Sequence, residues 1–379
     1  MTPNQTTTKI TTAPKESECQ KSDKIVFLKT HKTGSETMAG IFRRYAIMNN
    51  VSTLLSTRFG GHLYSQSAYH TYDPIHPKHV KMIGQNLPGA HYELVTNHMT
   101  YNQPFINRMF PNAKKISILR NPVSHLKSSW TYYYKLFANN PHWEKVESEA
   151  RQIMQLFEYL GNPLKFQYQA LQLPKTAYRH LLRSQLASFG YHDKVFSQNL
   201  GKELVSKWIH EIDQDFDLIL IMEYFDYSLA LLCIELCWPI EYVANLKMNE
   251  GHHIPVRSKA YHEELIRTIN YPDFMLYEHF NRTFWEKIEE VGIERVTELA
   301  SQITELSMQL ETDCVSKYHE IKNWNGKMVS EPVLRNDKKD DLYCKSSVLW
   351  GNEQSEFLKK RQWLLIRNEN WSAINSNNV

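Results

Sequence analysis

Absences narrow this sequence first. No apolar run reaches the roughly 18 residues that a membrane-spanning helix requires. Residues 1–23 hold no apolar stretch of the kind a signal peptide carries, only a polar leader rich in Thr, Lys and Asn. Five cysteines in 379 residues are too few and too scattered for a disulfide framework or a zinc site. The formal charge is only +3, so the overall balance gives no reason to expect a nucleic-acid partner. A local basic pocket for a small anion remains compatible with it. Internal repeats are absent as well.

What is present suits a folded enzyme. Hydrophobic residues make up 42% of the chain, enough for one large core with additions. Cys233 and Cys237, four apart in an apolar helical pattern, are expected to be buried free thiols. Cys314 with Cys344 is a pair that an oxidising compartment would permit. Four N-glycosylation sequons begin at Asn4, Asn50, Asn281 and Asn370, close to chance for so Asn-rich a chain.

Order is expected to start at residues 24–30, a short β-rich run of the buried parallel kind. Met38, Ile41, Phe42, Tyr45 and Met48 then recur at helical spacing, predicting a helix over 35–48. Residues 50–90 read as a long excursion. Further strands are expected at 92–96, 114–120 and 216–222, with helices at 105–110, from 121 to about 135, and at 227–238. Residues 138–212 read as irregular helix, 273–313 as helix, 320–345 as polar loop and 353–366 as a last helix. Strands alternating with helices predict an α/β fold with a parallel, doubly wound sheet and helical additions. The domains expected are a flexible leader at 1–23, the main domain at 24–315, and a loop-and-helix extension at 316–379. The apolar seam Val296, Leu299, Ile303, Leu306, Leu310 packs on its own domain in one reading and forms a homodimer in the other.

The sharpest local signal is Lys29-Thr-His-Lys-Thr-Gly-Ser-Glu-Thr37, lying between a strand and a helix. A helix N-terminus presents free N–H groups and a positive dipole end, a natural cradle for phosphate. Gly34 and the hydroxyls of Thr33, Ser35 and Thr37 let the backbone close on an anion, and Lys32 sits where an ammonium reaches a bridging oxygen. A nucleotide kinase is the obvious competitor. The Walker pattern is absent, however, since no Gly lies five before Gly34 and Ser35 follows it. Arg120 ends the strand at 114–120, where an acidic residue for Mg²⁺ would be useful, so no metal is expected. Arg120 offers a charged fork and Ser128, about two turns into the next helix, a hydroxyl. That makes a second phosphate site beside the first.

These two motifs resemble the sulfotransferases that use 3′-phosphoadenosine-5′-phosphosulfate (PAPS), whose sheet is of the P-loop-like type. Residues 26–33, 118–123, 216–226 and 277–285 together resemble, more narrowly, the galactose-3-O-sulfotransferase family. The resemblance covers about residues 24–314. It implies that Lys29, Thr30, Lys32, Thr33, Gly34, Ser35 and Thr37 hold the 5′-phosphosulfate end of PAPS, and that Arg120 and Ser128 hold the 3′-phosphate. It also implies that His31 and His98 are active-site histidines, one taking the acceptor's proton, with Lys32 steadying the leaving phosphate. His31 is favoured as the base because its loop is pinned to the donor.

The acceptor implied is the 3-hydroxyl of a terminal β-galactoside on a galactosylceramide-like glycolipid or a glycan. A cytosolic small-molecule hydroxyl is the alternative. Family members are Golgi enzymes with a membrane anchor; membrane association here would come through the lipid acceptor or an anchor beyond this sequence. Residues 138–200 match weakly and are expected to shape the acceptor pocket, with Trp130, Tyr132, Tyr133, Tyr134 and Trp143 as aromatic platforms or as core.

Overall fold

The computed structural model describes residues 19–55, 92–129, 183–191, 200–246, 260–322 and 328–362. Its centre is a five-stranded sheet, with strands β1 (Ile25–Leu28), β2 (Thr53–Leu54), β3 (Leu94–Val95), β4 (Lys114–Leu119) and β5 (Leu218–Ile221). Their spatial order is β2-β3-β1-β4-β5, and every pairing is parallel. Ile25, Val26, Phe27 and Leu28 are all fully buried, as a central parallel strand covered on both faces must be. The α/β, parallel-sheet expectation therefore holds. Residues 50–90 were read wholly as an excursion, yet β2 lies within them as a two-residue edge strand too short to leave a periodic pattern.

Helix α1 (Ser35–Asn49) follows β1 and buries Met38, Ile41, Phe42 and Tyr45, the face the spacing predicts. Helix α2 (Gln103–Met109) leads to β4, and α3 (residues 122–129 of the described chain) leads away from it. Asn121 caps α3, its Oδ1 accepting from Val123 N at 3.0 Å and Ser124 N at 3.3 Å. Helix α4 (Lys202–Asp215) precedes β5 and α5 (Phe225–Leu236) follows it.

After α6 (Ala260–Ile269) comes not one helix but two, α7 (Tyr271–Val291) and α8 (Ile293–Cys314). Gly292 separates them at φ 98°, a left-handed conformation that breaks the helical path. The seam on α8 buries Val296, Ile303 and Leu310, and α8 packs against α5 of its own chain.

The loop expected at 320–345 is instead an antiparallel hairpin, β6 (Val315–Lys322) with β7 (Met328–Leu334), followed by helix α9 (Leu342–Val348). Most of β6 is exposed, so its sequence carries no apolar alternation to read. The C-terminal stretch folds back onto α1. Arg361 donates to the carbonyls of Ala46 and Ile47 at 2.8 Å each, satisfying the end of α1. A buried Arg44 on α1 meets Ser347 at 3.3 Å and Tyr242 O at 2.7 Å.

Two disulfides close the chain, Cys19–Cys237 and Cys314–Cys344. The second matches the pair foreseen. Cys237 departs from expectation: it leaves the apolar face of α5 at a left-handed C-cap and bonds the segment preceding β1, while Cys233 alone stays a buried thiol, pushed up to about 12 by burial. Among the described residues no helix is long and apolar enough to cross a membrane.

Candidate active site

The strand order decides where a ligand belongs. From β1 the chain runs outward to β2 on one side, and from β4 it runs to β5 on the other. The β1 and β4 ends are adjacent, and their diverging connections open a crevice at the carboxyl edge of the sheet. Residues 29–37 leave β1 there, and Arg120 leaves β4 beside them.

The 29–37 loop is held partly by its own side chains and partly by neighbouring elements. Thr30 Oγ1 donates to Ile118 O across the sheet and lies 2.7 Å from Thr33 Oγ1; Ser35 Oγ donates to Thr30 O. Thr30, Thr33 and Ser35 are thus buried hydroxyls that brace the loop from inside. Lys32 (φ 58°) and Gly34 (φ 76°) both adopt left-handed backbone. The left-handed backbone calls for glycine at 34, and a side chain there would also press on the flexible end of Met222. Alternating hands over successive residues turn N–H groups to a common side, the geometry of an anion nest at the start of α1. Thr37 stands half-buried in the first turn, its N–H on Gly34 O at 3.1 Å.

Lys29 is buried and ion-paired with Glu36, and Arg43 reaches the same carboxylate at 3.2 Å. Burial lowers the Lys29 ammonium, against the pull of Glu36. Burial alone would raise Glu36, but Lys29 and Arg43 outweigh it and hold the carboxyl down at about 2. The trio braces the base of α1.

Two groups from the β4 side grip the outside of the loop. Arg120 Nη1 donates to Lys32 O at 3.3 Å, and His125 Nε2 donates to His31 O at 2.9 Å. In a planar trans peptide the C=O and the next N–H point oppositely. Fixing these carbonyls outward therefore turns the amides of Lys32 and Thr33 away from them. Burial lowers the Arg120 guanidinium against the pull of Glu223, and its Nε is buried with no hydrogen-bond partner among the described residues. Burial also pushes His125 down to about 3, against its bond to the His31 carbonyl, so it works as a neutral donor. Nothing local in the sequence marks His125; only its meeting with residue 31 across the fold reveals a role. Ser128 lies on α3, largely buried.

His31 and His98 come together although 67 positions apart. Their rings stack with centroids 4.0 Å apart and planes within 2° of parallel. His98 stands three residues past β3, its Nδ1 at 2.9 Å from Lys29 O. A carbonyl only accepts, so Nδ1 carries the proton and the lone pair of the neutral ring lies on Nε2. Residues 216–226 and 277–285 also converge: Tyr277 donates to Glu223 at 3.2 Å, and Tyr224 stacks on Phe284 and meets Trp285 edge to face. Trp130, Tyr132, Tyr133, Tyr134 and Trp143 lie outside the described residues. Among the described residues no group of three or more His, Cys, Asp or Glu could hold a metal ion.

Comparison with known proteins identifies the family. Residues 2–335 match the family model described as galactose-3-O-sulfotransferase. The chain is 31% identical over 295 residues to galactose-3-O-sulfotransferase 2 of Mus musculus, covering 77% of this chain and 69% of that protein. It is 29% identical over 307 residues to galactosylceramide sulfotransferase of Homo sapiens, covering 80% and 67%. Galactose-3-O-sulfotransferase 2 of Homo sapiens is 30% identical over 316 residues, covering 82% and 72%. No solved structure matches the chain significantly. The chain belongs to the galactose-3-O-sulfotransferase family and is an enzyme of that type.

Proposed function

We propose that this enzyme moves a sulfuryl group from PAPS to the 3-hydroxyl of a β-galactoside carried by a glycolipid or glycan. The observation that carries the reading is the left-handed loop at the β1–β4 crevice, with stacked imidazoles at one side and Arg120 at the other. The loop amides and Lys32 bind the 5′-phosphosulfate, with Gly34 admitting the close approach. Arg120 and Ser128 bind the 3′-phosphate, and the buried Nε of Arg120, unpartnered among the described residues, fits an anion-binding role.

In the proposed step the acceptor oxygen attacks sulfur in line. An S–O bond to the sugar forms while the S–O bond to the 5′-phosphate breaks. The sequence favours His31 as the base, but the Lys29 carbonyl holds the His98 proton on Nδ1, so in this scheme the hydroxyl proton passes to the lone pair at His98 Nε2, with His31 stacked upon it. Two imidazoles so close favour a single proton between them. Lys32 steadies the negative charge growing on adenosine 3′,5′-bisphosphate as it leaves. No metal enters this scheme.

The relatives' names supply the acceptor class, galactose and galactosylceramide. Both disulfides favour an oxidising compartment and so a Golgi lumen over cytosolic small-molecule sulfation. Asn50, exposed at the left-handed C-cap of α1, is open to a glycan there.

The test is incubation with labelled PAPS and a panel of galactosylceramide, lactosylceramide, N-acetyllactosamine and simple phenols. Label should enter the galactosides and not the phenols. Lys32→Ala and His98→Ala should each lose at least about a hundredfold in kcat, the scale of one transition-state contact. Near-normal turnover in Lys32→Ala would reject the mechanism.

A further inference from the structure

Arg120 is the first residue past the sheet ladder, whose last β4–β5 pair is Leu119 with Ile221. Its main chain has nevertheless found a partner. Gln185 Oε1 accepts from Arg120 N at 2.8 Å, and Gln185 Nε2 donates to Arg120 O at 2.8 Å. One side-chain amide thus pairs both main-chain groups of the residue, as a neighbouring strand would. Gln185 is only 1% exposed, so water cannot substitute for either bond.

Gln185 is itself anchored. It lies in the short turn Ser184–Leu186, and the N–H groups of Gln185 and Leu186 donate to Asp273 at 3.2 and 2.9 Å. Asp273 is fully buried in the first turn of α7. One turn further along α7, Tyr277 holds Glu223, which accepts from the N–H of Asn121 at 2.9 Å. A single helix therefore supports the Arg120–Asn121 turn by two independent routes.

We propose that Gln185, seated by Asp273, is a positioning residue that sets the Arg120 guanidinium for the 3′-phosphate of the donor. The proposal rests on the assignment of Arg120 to that phosphate. A guanidinium on a flexible stem binds a phosphate well only when its backbone origin is fixed, because otherwise ordering the side chain offsets the contact. Gln185 supplies that origin without touching the nucleotide. It should matter for ligands that carry the 3′-phosphate and be neutral for ligands that lack it.

Calorimetry with adenosine 3′,5′-bisphosphate and adenosine 5′-monophosphate tests this on the full chain. The unsubstituted protein should prefer the bisphosphate. Gln185→Met, of similar length but without the polar ends, should weaken bisphosphate binding about tenfold, the worth of one charge-assisted contact, and change monophosphate binding less than about twofold. In an Arg120→Ala background, Gln185→Met should add nothing further. If Gln185→Met melts below the assay temperature, Gln185→Glu carries the test: it keeps the shape and the bond to Arg120 N but faces the carbonyl with a second acceptor. Equal weakening of both ligands, or undiminished preference for the bisphosphate, overturns the clamp alone. A starting protein that binds both nucleotides alike overturns the phosphate role of Arg120 and the clamp with it.

Discussion

The two walls of the crevice differ in how much of their support is local. The loop after β1 has bonds within its own nine residues, from Thr30, Thr33, Ser35 and the left-handed turns at Lys32 and Gly34, as well as holds on its carbonyls from His98, Arg120 and His125. The turn after β4 has almost no local support beyond the Asn121 cap; Gln185, Glu223 and Asp273 hold it from 65 to more than 150 positions away. The first wall has a local motif at its centre, and the second is almost wholly an assembly. Substitutions in the first should therefore act locally and sharply, and those behind the second more gradually.

Gly34→Ala should produce the largest effect. It places a side chain at φ 76°, costing about 1–2 kcal/mol in left-handed backbone, and adds the collision with Met222. Denaturant melts should show the loss, and calorimetry should find bisphosphate binding abolished. The double variant Gly34→Ala, Met222→Ala should recover only the collision. Full recovery would mean the loop's handedness is not what binds the anion.

His125 joins the two walls, so its replacement should have an intermediate effect. His125→Ala removes the hold on the His31 carbonyl and should lower kcat about tenfold, as expected for one buried hydrogen bond. His125→Gln retains a donor nitrogen and should keep most of the activity. A pH signature goes with it. The folded chain holds His125 neutral down to about 3, whereas an unfolded imidazole titrates near 6.5. Between those values the unfolded state binds more protons, so stability falls as pH drops from about 6.5 toward 3. His125→Gln should flatten that part of the melting profile; an unchanged profile would show that His125 is not the group responsible.

Tyr277→Phe should have the smallest effect. It removes one 3.2 Å bond to Glu223 while Gln185 still holds Arg120, so stability should change by less than about 1 kcal/mol and bisphosphate affinity by less than about threefold. A large loss would make Glu223, and not Gln185, the principal support of the turn.

The same contrast explains which features were readable beforehand. The strand–loop–helix opening, Gly34 and Arg120 at a strand end stand out because each rests on neighbours in sequence. Lys29 was read as a phosphate ligand, and its ion pair with Glu36 shows another use, bracing α1. The hairpin at 315–334 leaves no apolar alternation to read, because β6 is mostly exposed and β7 buries only Val329 and Pro332. His125, Gln185 and Asp273 carry no local signal, since a buried polar side chain is recognised by its partner, and the partners lie on other elements.

Chain-local chemistry alone determined that a lysine, a histidine and a glycine stand in fixed order on a loop between a buried strand and a helix. The tertiary structure decided the rest: which strand ends are adjacent, that His31 meets His98, that Cys237 bonds Cys19, and what grips Arg120. The reason is physical. Backbone hand and helix periodicity are short-range properties of a few residues, whereas satisfying a buried polar group requires a partner that only the closed fold brings within 3 Å or so.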